Sequence, residues 1–249
     1  MNESATAAHG AEMASPRTMA SMLADRIRDD IIAGALAPES KLRLKDLSVR
    51  YDAGVIPLRE ALSRLAMTGF VRAEDQRGFR VTGISTEELN DITQTRQRIE
   101  TDALSNAIAH GDIEWEGRML SSFHRLSRLS MTNLPGAALN REWELAHDAF
   151  HEAILSACTS RWLLHFAQVL RDQTARYRHL SVRVETAEPR DVAAEHKALL
   201  DAILARDTGV ACDLLTRHFA TTTRMVLASV AGAPRRPAPA RKAQAARQA

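Results

Sequence analysis

Cysteine is almost missing from this chain: Cys158 and Cys212 are the two in 249 residues, far apart and outside any CxxC pair. That spacing excludes a disulfide framework and a thiolate zinc knot, and it fits a reducing cytoplasm. Aromatic residues are also scarce, at 4%. Strands of sandwiches and barrels favour aromatic and β-branched side chains, whereas the frequent alanine and leucine here favour helices, so a mainly α protein is expected. No run of about 18 apolar residues occurs, which leaves no candidate membrane-spanning helix. The opening Met1 to Ser15 holds Glu3, His9 and Glu12 instead of a basic start followed by an apolar run, so nothing in it marks export. Gly-rich phosphate loops and G-x-S-x-G elbows are absent as well.

An excess of one charge is lacking overall, with a formal net charge of +2. The basic residues are nevertheless unevenly placed. Arg26, Arg28, Lys41, Arg43, Lys45, Arg50, Arg59, Arg64, Arg72, Arg77 and Arg80 crowd the first third, and Arg235, Arg236, Arg241, Lys242 and Arg247 fill an Ala/Pro-rich end. A polyanionic partner is expected for the first third. The length allows two domains, each with its own core.

Residues 1–15 are small, polar and aperiodic and read as a disordered leader. Leu23, Ile27 and Ile31 then recur every fourth residue in an amphipathic helix stopped by Gly34. Short helices follow over Leu44 to Tyr51 and Ile56 to Met67, separated by Asp52-Ala53-Gly54, a helix-turn-helix pattern. Alternating residues on both sides of Asp75-Gln76-Arg77-Gly78 predict a β-hairpin, the wing. The domain is expected to span 16–84. From Ser85, an N-cap followed by two glutamates, the pattern is helical to about residue 230. Six helices are expected there, in an antiparallel bundle of six or seven, ahead of a disordered basic tail over 231–249.

In the second short helix, Leu58, Leu62 and Leu65 form a core face while Arg59 projects from the first turns and Arg64 lies further along. Arg59 can be bidentate to a guanine or can clasp a phosphate. Lys45 and Arg43 from the preceding helix, Gly54, Val55 and Pro57 at the helix start, and Gln76, Arg77 and Gly78 at the wing tip complete the expected contact with a double-stranded operator. These landmarks resemble the GntR-type regulators of the FadR branch: Ile32 to Pro38 with Leu42, Pro57 to Leu65, Gly69-Phe70-Val71, and Arg77 to Val81 stand in that family's order and spacing. The resemblance implies a homodimer on a short pseudo-palindrome, acting as a repressor released by a metabolite. Two departures stand out. Gly54-Val55-Ile56 replaces a Ser-Arg pair, which implies a different operator preference, and Glu39 replaces a glycine after Pro38.

Further along, His147 and His151 lie at i and i+4, so their imidazoles share a helix face and can pinch one metal ion. With His196 and His218 they resemble the histidines of that branch's ligand domain, called FCD. The carboxylate expected one turn before His151 is replaced by His147, and Asp148 is rotated about 100° around the helix. Two alternatives follow. Four imidazoles hold a borderline metal, zinc or nickel, or the histidines hydrogen-bond a carboxylate effector directly. Arg96 and Glu100 match the family's R-x-x-x-E landmark, so Arg96 either meets the effector or forms an ion pair with Glu100. Arg178, in Arg176-Tyr177-Arg178, faces either the cavity or a dimer partner. Trp115, Trp143 and Trp162 are expected to be packing anchors. The implied effector is a small organic acid, a dicarboxylate or hydroxy acid. An architectural DNA-binding protein without an effector is the alternative. A metal-dependent hydrolase is more remote, because His147 to His151 lacks the glutamate that follows the first histidine in H-E-x-x-H, and no enzymatic activity is expected.

Overall fold

The computed structural model describes residues 17–74, 77–132, 139–181 and 190–232. The leader over 1–15, Gln76 and the tail from 233 lie outside them. The chain divides into two compact units, Met1–Gly83 and Ile84–Ala249. Among the described residues no helix is long and apolar enough to cross a membrane.

In the first unit, α1 (Met19–Ile32) starts where the Thr18 side chain accepts the Ser21 N–H and buries Ala20, Leu23, Ile27 and Ile31. β1 (Lys41–Leu42) precedes α2 (Leu44–Tyr51), which ends at Asp52 in the left-handed region (φ 49°). The tight turn is closed by the Ser48 hydroxyl, which donates to the Ala53 carbonyl at 2.6 Å. α3 (Val55–Met67) then buries Leu58, Ala61, Leu62 and Leu65. Pro57 is tolerated in its first turn, where its missing N–H has no helical acceptor to lose. β2 (Val71–Glu74) and β3 (Gly78–Val81) form the wing, paired from Val71↔Val81 to Glu74↔Gly78, with Gly78 at φ 90° supplying the turn. The sequence pattern missed β1, which adds to the sheet in the order β1-β3-β2 and buries Leu42. Two residues are too short to show a period. Tyr51 and Arg50 both donate to Asp30 of α1, at 2.6 and 2.8 Å. Arg50 therefore ties α2 to α1.

In the second unit, local start signals set most of the helices. Ser85 caps α4 (Thr86–His110), Asp112 caps α5 (Ile113–Ser127), Asn140 caps α6 (Arg141–Leu155), and Asp191 caps α8 (Val192–Leu204); each accepts a first-turn N–H. α7 (Arg161–Ser181) and α9 (Thr208–Gly232) complete an all-helical bundle. α4 packs on α7 and α9, α5 on α6 and α8, and α8 on α9. The core centres on Leu104, Trp115, Met119, Phe150, Ile154, Leu199 and Leu215. Trp115 is the anchor expected, its indole N–H donating to the Ala153 carbonyl at 2.9 Å. Trp162 is not: it is exposed, and among the described residues its ring contacts are with His165 and Phe166 of its own helix.

Candidate functional site

On the first unit the structure sorts the basic residues by whether an acid already holds them. Lys45, Arg59 and Arg77 are exposed, and among the described residues none of these side chains makes an ion pair or hydrogen bond. Arg43, the residue before α2, stands 4.0 Å from Asp46 in the first turn of that helix. Arg64 turns back into the domain, donating to the Ser21 hydroxyl at 2.8 Å and to Glu60 at 2.7 Å, so it braces α3 against α1. Arg72 and Arg80 on the wing are paired with Glu39 and Glu74. Glu39 sits at φ 64°, the left-handed conformation that a glycine would adopt more readily. Its carboxylate accepts from Arg72 and its carbonyl from Arg80. Gly54, the residue before α3, is exposed and offers no side-chain cap.

In the second unit the four predicted histidines meet. His147 and His151 come from α6, His196 from α8 and His218 from α9, all buried, and one potential ligand atom from each lies within 4.8 Å of the others. Ring centroids are 4.5 Å apart for His147 and His151 and 4.8 Å for His196 and His218. Among the described residues neither nitrogen of His151 nor Nε2 of His196 has a hydrogen-bond partner. Buried polar atoms are seldom left so, because desolvation without compensation costs about 1–3 kcal/mol each. Unpartnered nitrogens of His151 and His196, converging with His147 and His218, fit a metal ion.

Neighbouring carboxylates orient two of the rings. His218 Nδ1 lies 2.8 Å from Glu195 and His147 Nδ1 lies 3.3 Å from Asp148. Each pairing places the proton on Nδ1 and leaves Nε2 as the donor, as ligating histidines commonly do. Asp148, rotated off the ligand face, thus acts through His147, and it also forms an ion pair with Arg178 at 3.0 Å. Burial pushes the Glu195 carboxyl up, but hydrogen bonds from Arg190 and His218 outweigh that and hold it at about 2. Burial, reinforced by neighbouring arginines and histidines, holds His147, His151 and His196 well below 6.5, and His218 below it.

Three of the histidines, His147, His151 and His218, line a cavity of about 560 Å³, counting its solvent-open mouth. Arg96, Arg178 and Arg190 supply cationic walls, Thr93, Thr174, Thr222 and Thr223 supply hydroxyls, and Trp143 and Phe219 form apolar faces. Arg96 forms the ion pair with Glu100, at 2.7 Å, and also lines the cavity, its guanidinium 4.0 Å over the Phe219 ring. Glu100 itself is fully buried and is not part of the wall. Trp143 stacks on His147 at 4.8 Å, so it both packs and faces the cavity. Sequence reasoning missed the threonines and Arg190. Thr93 sits three residues before Arg96 and Thr222 four after His218, on the same faces, a signal that helical spacing carries. Arg190 precedes α8 and carried none.

These histidines predict a pH response. In the unfolded chain imidazoles protonate near 6.5, while in the fold they stay neutral to lower pH, so between those values the unfolded state binds more protons. Their contribution is complete above about pH 6.5 and is lost as pH falls below it. The melting temperature of chelator-treated protein should therefore fall steadily from pH 7 to pH 5, and a flat profile would contradict the burial of neutral imidazoles.

Residues 19–81 match the bacterial regulatory proteins of the gntR family and residues 91–221 match the FCD domain. The chain is 40% identical to the HTH-type transcriptional repressor GlaR of Escherichia coli over 83% of its own length and 94% of GlaR. It is 39% identical to the uncharacterized HTH-type transcriptional regulator BphR of Paraburkholderia xenovorans, over 86% and 87% of the two chains. Among solved structures, E. coli McbR/YncC has the same fold, with a TM-score of 0.73 at 19% identity, covering 86% of this chain and all of that one.

Proposed function

The chain belongs to the GntR family of bacterial regulatory proteins, is a DNA-binding transcriptional regulator and carries an FCD domain; from that premise we propose that a small organic acid bound in the FCD cavity controls its affinity for an operator. The acid is a dicarboxylate or hydroxy acid, and the protein works in the cytoplasm as a homodimer, of the FadR branch, on a pseudo-palindromic site. The single observation that carries this reading is the cavity: unpartnered imidazole nitrogens at its end, with Arg96, Arg178 and Arg190 around it.

His147, His151, His196 and His218 would hold the ion, and an all-nitrogen set favours zinc or nickel over a hard cation. When bound, it supplies a Lewis-acidic centre for one carboxylate or hydroxyl of the effector. The rest of the recognition belongs to the protein's own side chains. Each cavity arginine is already paired with an acid, Arg96 with Glu100, Arg178 with Asp148 and Arg190 with Glu195. A guanidinium has five N–H donors, so Arg96 and Arg178 can keep that partner and still receive a carboxylate oxygen, whereas the donors of Arg190 are engaged by Glu195, Thr222, Met225 and His218. The threonine hydroxyls offer donors and acceptors for a hydroxy acid. An effector that favours one arrangement of the FCD domain must shift operator affinity reciprocally, by about 5–150-fold in typical cases.

Fluorescence anisotropy of an operator duplex, titrated with C3–C6 hydroxy acids and dicarboxylates, tests this. Metal-loaded protein should lose DNA affinity at least about fivefold with one class of acid, and chelator-treated protein should not respond. If no acid moves the binding curve of loaded protein, the cavity is not the effector site.

A further inference from the structure

We propose that Val55 and Ile56 read a thymine in each operator half-site by van der Waals contact with its C5-methyl group. This inference rests on the reading of the chain as an operator-binding regulator and adds the base chemistry at one position.

Ile56 is 83% exposed and Val55 49% exposed, although both belong to a helix whose opposite face is fully buried. They are the first two residues of α3. Val55 stands four residues before Arg59 and Ile56 three before it, so all three share one face of the helix. Arg59 is exposed, and among the described residues its side chain has no partner. The preceding helix repeats the arrangement: exposed Lys45 stands four residues before Val49, which is 82% exposed.

A single exposed apolar residue needs no explanation. Two in succession, beside a cation with no counter-charge, form a surface whose complement is anionic and carries a small apolar group. Duplex DNA has one such group in its major groove, the thymine methyl; the other major-groove edges present hydrogen-bonding atoms. Setting Ile56 against one of those would strip water from a donor or acceptor and return no bond, so the contact both favours thymine and opposes the alternatives. β-Branched side chains suit this role because their restricted rotamers leave little freedom to lose on contact. Arg59, one turn on, is then placed to meet the neighbouring base edge or its phosphate.

The test uses full-length protein and an operator duplex selected from a random pool. Each thymine is replaced in turn by deoxyuridine, which pairs identically and lacks only the methyl group. One position per half-site should weaken binding about fourfold, the value of one buried methyl. Ile56→Ala, a change at an exposed site, should bind the thymine and deoxyuridine duplexes equally, and Val55→Ala should reduce the difference. A selected operator that tolerates deoxyuridine everywhere overturns the proposal while leaving operator binding intact. An Ile56→Ala protein that keeps the full thymine preference but changes its oligomeric state in sedimentation also overturns it, by assigning the pair to a protein contact. If no duplex is selected at all, the regulatory reading falls with it.

Discussion

His151→Ala should lower metal affinity by at least about a hundredfold, since even residues that only support a ligand typically cost 10–100-fold when changed. His151 stands among the other three rings, with centroids 4.5 Å from His147, 5.4 Å from His196 and 5.3 Å from His218. Neither of its nitrogens has another partner among the described residues, so its replacement removes a ligand without breaking a hydrogen bond. The cost to the fold is confined to a small cavity beside Phe150 and Phe219. The first unit has its own core, built on Leu23, Leu58 and Leu62, and the metal-free variant should bind operator as the metal-free parent does. Elemental analysis after dialysis, with anisotropy on the operator, measures both halves of the prediction. Full metal stoichiometry in the variant would move the site elsewhere, and lost DNA binding would show that His151 supports the fold.

Arg59→Ala should weaken operator binding by about 1–3 kcal/mol if its guanidinium is bidentate to a base, and should relax preference at that base pair. A phosphate contact would instead weaken all duplexes alike. Because Arg59 has no intramolecular partner among the described residues and is exposed, the substitution leaves the domain's packing untouched. Arg64→Ala is the contrasting case: its guanidinium is committed to Ser21 and Glu60, so its loss should appear as domain stability before it appears as DNA affinity. Lysine at 59 should restore little of a bidentate contact, since it lacks the planar fork. Unchanged affinity of Arg59→Ala in a gel-shift titration would remove Arg59 from the interface.

The helices were legible because their signals are local. Ser85 was readable as an N-cap ahead of a periodic apolar stretch, and Asp112, Asn140 and Asp191 prove to cap later helices in the same way. The wing was legible from alternation around Gly78, whereas β1 was not, because it has no period to read and exists through its pairing with β3. The histidine cage was half legible. The spacing of His147 and His151 fixed a shared face, but convergence with His196 and His218 depends on how α6, α8 and α9 meet. Asp148 shows the limit most clearly. Spacing excluded it from the ligand face, and only the fold shows it holding His147 and Arg178. Arg190 was invisible for the same reason: it stands ahead of α8, and its contacts with Thr222 and His218 depend on how α8 and α9 meet.

The arginines on the wing's strands carry their neutralising acids with them, Arg72 on Glu39 and Arg80 on Glu74, unlike Arg77 at its tip. A cation already matched inside the protein displaces little of the sodium or potassium condensed around a duplex, and it is that release that makes protein–DNA affinity fall steeply with ionic strength. The salt dependence of this wing's grip should therefore come from exposed Arg77 at its tip, while its strands contribute shape more than bulk attraction to the phosphates.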